Sequence, residues 1–278
     1  MNRKISFLAL CLLMLISCGP YATEEPAPVA TETVTPTDTP EPTPTSTLPT
    51  PKEPQRIEFN AEDGTPLVGY HYPAAVTNSP IVVLMHWAPG DQQDWTKIHM
   101  VDWLTGTNPG SFASQFFPAS YAAFTFDFRG YGESGGQFNP AGWLMDAKAA
   151  YETARSLPGV DPERVVGIGS SIGADAVVDA CGDICKGAFS LSPGSYLNVP
   201  YSEAVAFFDD PARTPIPIVC IASEGDRESA PTCQSASGEF YQPVIFPGSL
   251  HGTDFLNDIP TRLKVVPYVI EWLSNSIN

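Results

Sequence analysis

Basic residues are scarce in this chain. Its 278 residues carry 14 lysines and arginines against 31 aspartates and glutamates, a formal charge of −17. With so few cations to neutralise phosphates, binding to nucleic acid is excluded and attraction to anionic surfaces is disfavoured. The charge says nothing about the fold. Long apolar runs are also missing: the N-terminal stretch Ile5 to Ile16 has 12 residues, short of the roughly 20 needed to span a bilayer. No internal repeat is present. None of the six cysteines stands in the Cys-x2-Cys spacing of a zinc site, which argues against a four-cysteine metal centre. What is plentiful is apolar material, 43% of residues against 16% charged, enough for one large globular core.

The N-terminus reads as a processing signal. Arg3 and Lys4 form a basic start and the 12-residue run an h-region. Leu15-Ile16-Ser17-Cys18 resembles the bacterial lipobox, in which the cysteine is lipidated and becomes the mature N-terminus; losing residues 1–17 takes the charge to −19. The expected location is therefore the bacterial cell envelope, outside the cytoplasm, with a membrane contact through the lipid on Cys18 alone. Residues 21–54 hold nine prolines and ten threonines. Such a segment cannot bury enough apolar surface to fold, and an extended polyproline chain would reach up to ~100 Å. The expected organisation is a signal at 1–17, a lipidated linker at 18–54, and a folded domain at 55–278. Four cysteines remain in that domain, and in an oxidising compartment sequence proximity pairs Cys181 with Cys185 and Cys220 with Cys233.

The folded part alternates strand, loop and helix. "RIEFNAEDGTPLVGYHYP" alternates around Asp63-Gly64 and predicts an antiparallel hairpin. Six continuous apolar runs follow: "PIVVLMHW", "AAFTFDF", "RVVGIGS", "GAFSLSP", "IPIVCIAS" and "QPVIFPG". Runs without alternation suit strands covered on both faces, hence a mostly parallel eight-stranded sheet in a three-layer α/β/α sandwich. "PAGWLMDAKAAYETARSL" predicts a helix opening at Pro140; "PTRLKVVPYVIEWLSNS" predicts another that Pro267 should kink or break.

Two adjacent serines stand between an apolar strand and a helical pattern, in "VVGIGSSIGA". A Gly-x-Ser-x-Gly frame fits only Gly169 to Gly173, which makes Ser171 the candidate nucleophile. A sharp strand-to-helix turn needs small neighbours and places the hydroxyl at a helix N-terminus. A serine of this kind needs a base and an orienting acid. Of four histidines, His251 follows the last apolar strand, beside Gly252; His71 and His99 lie in structural or surface contexts. Asp226 ends the "IPIVCIASEGD" run, with Glu224 the competing acid. The order Ser171, Asp226, His251 is the one expected for such an architecture.

These residues, with "DFRGYGES" (Asp127, Arg129, Gly130, Gly132, Ser134) and "LHGTDFL", resemble the α/β-hydrolase superfamily over residues 56–275, and its small dienelactone-hydrolase-like members in particular. The resemblance implies no cofactor and no metal. It implies serine rather than cysteine chemistry, and a structural role for the "DFRGYGES" loop. Where the superfamily commonly has His-Gly-x-x-Gly, this chain reads His86-Trp87-Ala88-Pro89-Gly90. Pro89 cannot donate, so the implied oxyanion donors are the Ala88 and Ile172 N–H groups. Only "GSYLNVPYSEAVAFFDDPART" is available as a lid, which argues against a lipase tunnel. The expected pocket wall is Trp87 together with Trp103, Phe112, Phe116 and Phe117. The expected activity is hydrolysis of small-molecule esters by a monomer. The alternatives are a peptidase or acyltransferase using the same triad, and a non-catalytic binding protein on this scaffold.

Overall fold

The computed structural model describes residues 53–107 and 120–277, all within one compact unit, Thr47–Asn278. The signal and the linker as far as Lys52, and with them Cys18, lie outside the described residues, as do Phe112, Phe116 and Phe117.

Eight strands form one sheet: β1 (Gln55–Asn60), β2 (Pro66–Tyr72), β3 (Ser79–Met85), β4 (Ala122–Phe126), β5 (Val160–Ser170), β6 (Cys185–Leu191), β7 (Ile218–Ser223) and β8 (Tyr241–Phe246). Their spatial order is β1-β2-β4-β3-β5-β6-β7-β8. β1 with β2 is the expected hairpin; β2 also runs antiparallel to β4, and every later pair is parallel. All seven residues of β3 are buried, as a central strand covered on both faces requires.

Period-two alternation divides the core. Ile81, Val83 and Met85 face α3 (Pro140–Arg155), α4 (Ile172–Asp179), α5 (Tyr201–Ala206) and α6 (Ser229–Ser235), whose Trp143, Tyr151, Val177 and Tyr201 complete that layer. Val82 and Leu84 face α1 (Asp94–Lys97), α2 (Met100–Thr105), α7 (Asp254–Asn257) and α8 (Ile259–Ile277), with Trp95, Leu104, Phe255 and Trp272. Each such side chain, fully buried, contributes roughly 1.5–3 kcal/mol.

Two expectations are corrected here. α8 is one helix that continues through Pro267. Its apolar face, including Val265, Val266, Val269, Trp272 and Leu273, is anchored on the sheet, and that packing outweighs one missing backbone donor. Trp103 lines no open wall: it is 5% exposed, packed in the core layer beneath α2, with the Arg262 guanidinium 5.5 Å from its ring. Both disulfides are present as paired by proximity. Cys181–Cys185 ties the end of α4 to the start of β6, and Cys220–Cys233 ties β7 to α6, with Cα separations of 5.0 and 5.7 Å.

Candidate active site

Ser171 sits alone between β5 and α4 with φ 54° and ψ −114°, a conformation that non-glycine residues rarely adopt. Close approach explains the flanking glycines. A Cβ on Gly169 would come within 1.9 Å of the Gly173 carbonyl oxygen, and one on Gly173 within 2.2 Å of the Met85 carbonyl oxygen. The Ser171 N–H donates to the Leu191 carbonyl at 2.9 Å, fixing the turn to β6. Ile172 is the first residue of α4, so its N–H has no intrahelical acceptor.

Ser170 has a different environment. It is fully buried, and a Cβ on Gly252 would meet its Oγ at 2.3 Å, so it lies packed beneath the histidine loop. Of the two serines, it is Ser171 that occupies the strained turn.

The acid and the base come from the last two parallel strands. Asp226 follows β7, and its Oδ1 accepts the N–H groups of Glu228 at 3.3 Å and Ser229 at 3.1 Å, at the entrance to α6. Its Oδ2 is 2.6 Å from His251 Nδ1. Burial raises the Asp226 pKa, but the hydrogen bonds from His251 and Ser229 outweigh it and hold the carboxyl below its ordinary value. That sign favours a carboxylate accepting the Nδ1 proton, which turns Nε2 away from Asp226. The β7 and β8 loops are clasped together by the Gly225 N–H to the Gly248 carbonyl, 2.7 Å; a Cβ on Gly225 would come within 2.6 Å of that oxygen. Glu224 is exposed and its N–H continues the ladder to Phe246; the His251 contact belongs to Asp226.

The segment after β3 is held by its own polar contacts. His86 is buried, donates from Nδ1 to the Trp87 carbonyl at 2.6 Å and accepts the Phe128 N–H on Nε2 at 3.0 Å. Burial pushes its pKa down, so it is a neutral structural imidazole. Trp87, expected to present its indole to a pocket, instead donates Nε1–H to Asp94 at 2.8 Å, folded across Gly90. Ala88 is half-buried between them, joined to Pro89 by a cis peptide bond.

"DFRGYGES" packs under the site. Asp127 accepts the N–H groups of Gln92 at 2.8 Å and Glu133 at 2.9 Å. Arg129 is clamped between Asp146 and Asp63, with five donor contacts of 2.6–3.1 Å to the two carboxylates from its terminal nitrogens and Nε.

Two residues on and against α4 were not singled out by any motif. Asp175, on the first turn of α4, is fully buried and accepts the N–H groups of Gly194 (3.1 Å), Ser195 (3.1 Å) and Tyr196 (2.6 Å). Burial raises its pKa to about 7, against these three hydrogen bonds, which favour the anion. Tyr196 lies on the loop after β6, and burial together with the neighbouring Glu228 carboxylate holds its phenol pKa above the ordinary value. The signal available in sequence was Asp175 itself, a lone carboxylate in the apolar pattern "IGADAVV".

No protein-family profile matches the chain. Among curated proteins, the uncharacterized protein YfhR of Salmonella typhi is 34% identical over 148 residues, 51% of this chain and 45% of that protein. The quorum-quenching protein AidA of Acinetobacter baumannii is 30% identical over 132 residues, 46% of this chain and 39% of its own. The chain thus spans less than half the length of these relatives. Among solved structures, an esterase of Pyrococcus furiosus superimposes with a TM-score of 0.60 at 18% identity, covering 81% of this chain and 94% of that one. The α/β hydrolase GrgF of a Penicillium species gives 0.61 at 14% identity, covering 81% and 99%. Sheet order, parallel core and these superpositions agree: the chain has the α/β-hydrolase fold.

Proposed function

We propose that this chain is a serine hydrolase that cleaves carboxylic esters with small to medium acyl groups. The observation that carries the reading is the 2.6 Å His251–Asp226 contact, with the histidine loop packed through Gly252 against Ser170, next to the strained Ser171 turn. In this scheme His251 Nε2 takes the Ser171 proton as Oγ bonds to the ester carbon, and the carbonyl electron pair moves onto oxygen. Asp226 holds the tautomer and stabilises the imidazolium. The Ala88 and Ile172 N–H groups bind the oxyanion, each contributing typically around 10²–10³ in rate. The alcohol leaves with the proton from His251, and water then resolves the acyl-enzyme by the same steps.

The short β6–β7 connection, one helix of six residues and a single 3₁₀ turn, supports small acyl groups, since it provides no large lid. The Pyrococcus protein's description as an esterase points the same way. In this reading, from the leader and linker in the sequence, the enzyme belongs to the bacterial cell envelope outside the cytoplasm, anchored by lipidated Cys18, with the domain of residues 55–278 carried on the linker as a stalk. Among the described residues no helix is long and apolar enough to cross a membrane.

The test is hydrolysis of p-nitrophenyl esters from acetate to decanoate by the full chain, with Ser171→Ala alongside. Activity should fall with acyl length and drop by more than about 10³-fold in the variant. Inertness toward the whole series, or activity that survives the substitution, overturns the reading.

A further inference from the structure

The hydrogen bonds of one dipeptide, Leu191-Ser192 at the end of β6, reach all three elements that carry the proposed triad. The Leu191 carbonyl accepts the Ser171 N–H at 2.9 Å. The Ser192 N–H donates at 2.8 Å to the carbonyl of Ile221 in β7, the strand that leads to Asp226. Ser192 Oγ accepts the N–H of Gly252, next to His251, at 3.0 Å. Backbone groups make the first two contacts, so any residue could supply them. The third depends on the Ser192 hydroxyl.

The backbone points to the same side chain. Ser192 has a φ of 62°, a left-handed conformation that favours glycine, yet the position holds a fully buried serine. Its turn is gripped from the nucleophile's own helix, because Asp175 of α4 takes the N–H groups of Gly194, Ser195 and Tyr196. The histidine loop is anchored at both ends. Before His251, the Gly248 carbonyl accepts the Gly225 N–H; after it, the His251 and Gly252 carbonyls accept the N–H groups of Asp254 and Phe255 at 3.2 and 3.3 Å, opening α7. Between these anchors, Ser192 holds the amide next to the base.

Building on the serine-hydrolase reading, we propose that Ser192 is a positioning residue for the reaction: by holding the Gly252 amide, its hydroxyl fixes where His251 Nε2 stands relative to Ser171 Oγ. Ser192 touches neither substrate nor reacting atoms. Asp226 orients the imidazole through Nδ1, but one contact at one ring atom leaves the ring free to move with its loop. The Gly252 amide is the second fixed point, and it is tied to the same dipeptide that holds the Ser171 N–H. Base and nucleophile are thus referenced to one short piece of backbone. Proton transfer rewards such registration, since a displacement of about 1 Å is enough to cost ~10²-fold in rate.

Ser192→Gly removes the hydroxyl and suits the left-handed backbone. With p-nitrophenyl acetate, kcat should fall at least about 10-fold, with KM within about twofold of wild type. Relief of strain offsets the lost acceptor, so Tm should change little. Ser192→Ala keeps the Cβ and the stiffness of the turn, and should match the glycine variant within about threefold. In a His251→Ala background, Ser192→Gly should leave the residual rate unchanged, because Ser192 acts through His251. If both Ser192 variants retain wild-type kcat while Ser171→Ala is dead, the proposal is wrong and the esterase reading stands. If only the glycine variant is slow, backbone freedom rather than the hydroxyl is responsible, and the proposal is again wrong. An equal loss with and without His251 assigns Ser192 to the fold at large and overturns its positioning role. Activity indifferent to Ser171→Ala overturns both readings.

Discussion

Two charged clusters in this molecule have similar ingredients and opposite character. Arg129 is 5% exposed and Asp146 not exposed at all, with Asp63 closing the cluster from the rim. Its Nε and both terminal nitrogens donate to two carboxylates, which fixes the guanidinium as a brace. The His251–Asp226 pair is wetter on one side, 34% exposed at the histidine and 10% at the aspartate. Asp226 is filled by His251 and two backbone donors, whereas the imidazole is engaged at Nδ1 and presents Nε2. Satisfaction, more than charge or burial, separates a brace from a reactive group. The brace turns its three nitrogens onto two carboxylates, and the site keeps Nε2 of His251 uncommitted beside a strained nucleophile.

Substitutions sharpen this contrast. Asp226→Asn preserves shape but offers the wrong hydrogen-bonding partner to His251, so kcat on p-nitrophenyl acetate should fall by about 10²–10⁴ with Tm nearly unchanged. Arg129→Ala should do the reverse. It leaves Asp146 buried without its counter-ion, which costs about 3–5 kcal/mol by urea unfolding, while activity per folded molecule changes by less than about threefold. If both variants lost stability and activity together, the two clusters would not be distinct.

A smaller effect concerns a third carboxylate. Asp179, one turn along α4 from Asp175, has both oxygens buried without a hydrogen-bond partner among the described residues. Burial first, then the neighbouring Asp175, raises its pKa to about 8. A carboxyl whose folded pKa exceeds its unfolded value of about 4 destabilises progressively as pH rises between the two. Asp179→Asn should therefore gain about 1–3 kcal/mol over wild type between pH 5 and pH 8.5. Unfolding curves that shift equally at both pH values would show that Asp179 carries no such penalty.

Much of this was legible because local patterns and global fold agree. Five of the six unalternating apolar runs became largely buried strands, whereas "QPVIFPG" became the edge strand β8, with no fully buried residue because one side has no neighbour. The paired glycines around Ser171 are required by backbone approaches of 1.9 and 2.2 Å. The placement of Asp226 and His251 followed from strand ends, where such sheets set their sites. What was not legible depends on tertiary contact. Trp103 reads equally well as pocket wall or core until α2 is docked and Arg262 lies over it. The Trp87 indole is turned aside by Asp94, seven residues on, in a loop of no regular period. Pro267 sits inside a helix whose packing overrides propensity. The course of the Tyr196 loop is set by a buried aspartate that grips it from another element, α4.

The central claim is that Ser171, rather than the adjacent Ser170, is a nucleophile raised by its turn and served by His251. A fluorophosphonate probe followed by peptide mass spectrometry tests it most directly. One adduct on Ser171, abolished by His251→Ala and unaffected by Ser170→Ala, is the predicted result. An adduct on Ser170, or no adduct on the folded wild-type protein, would contradict the account.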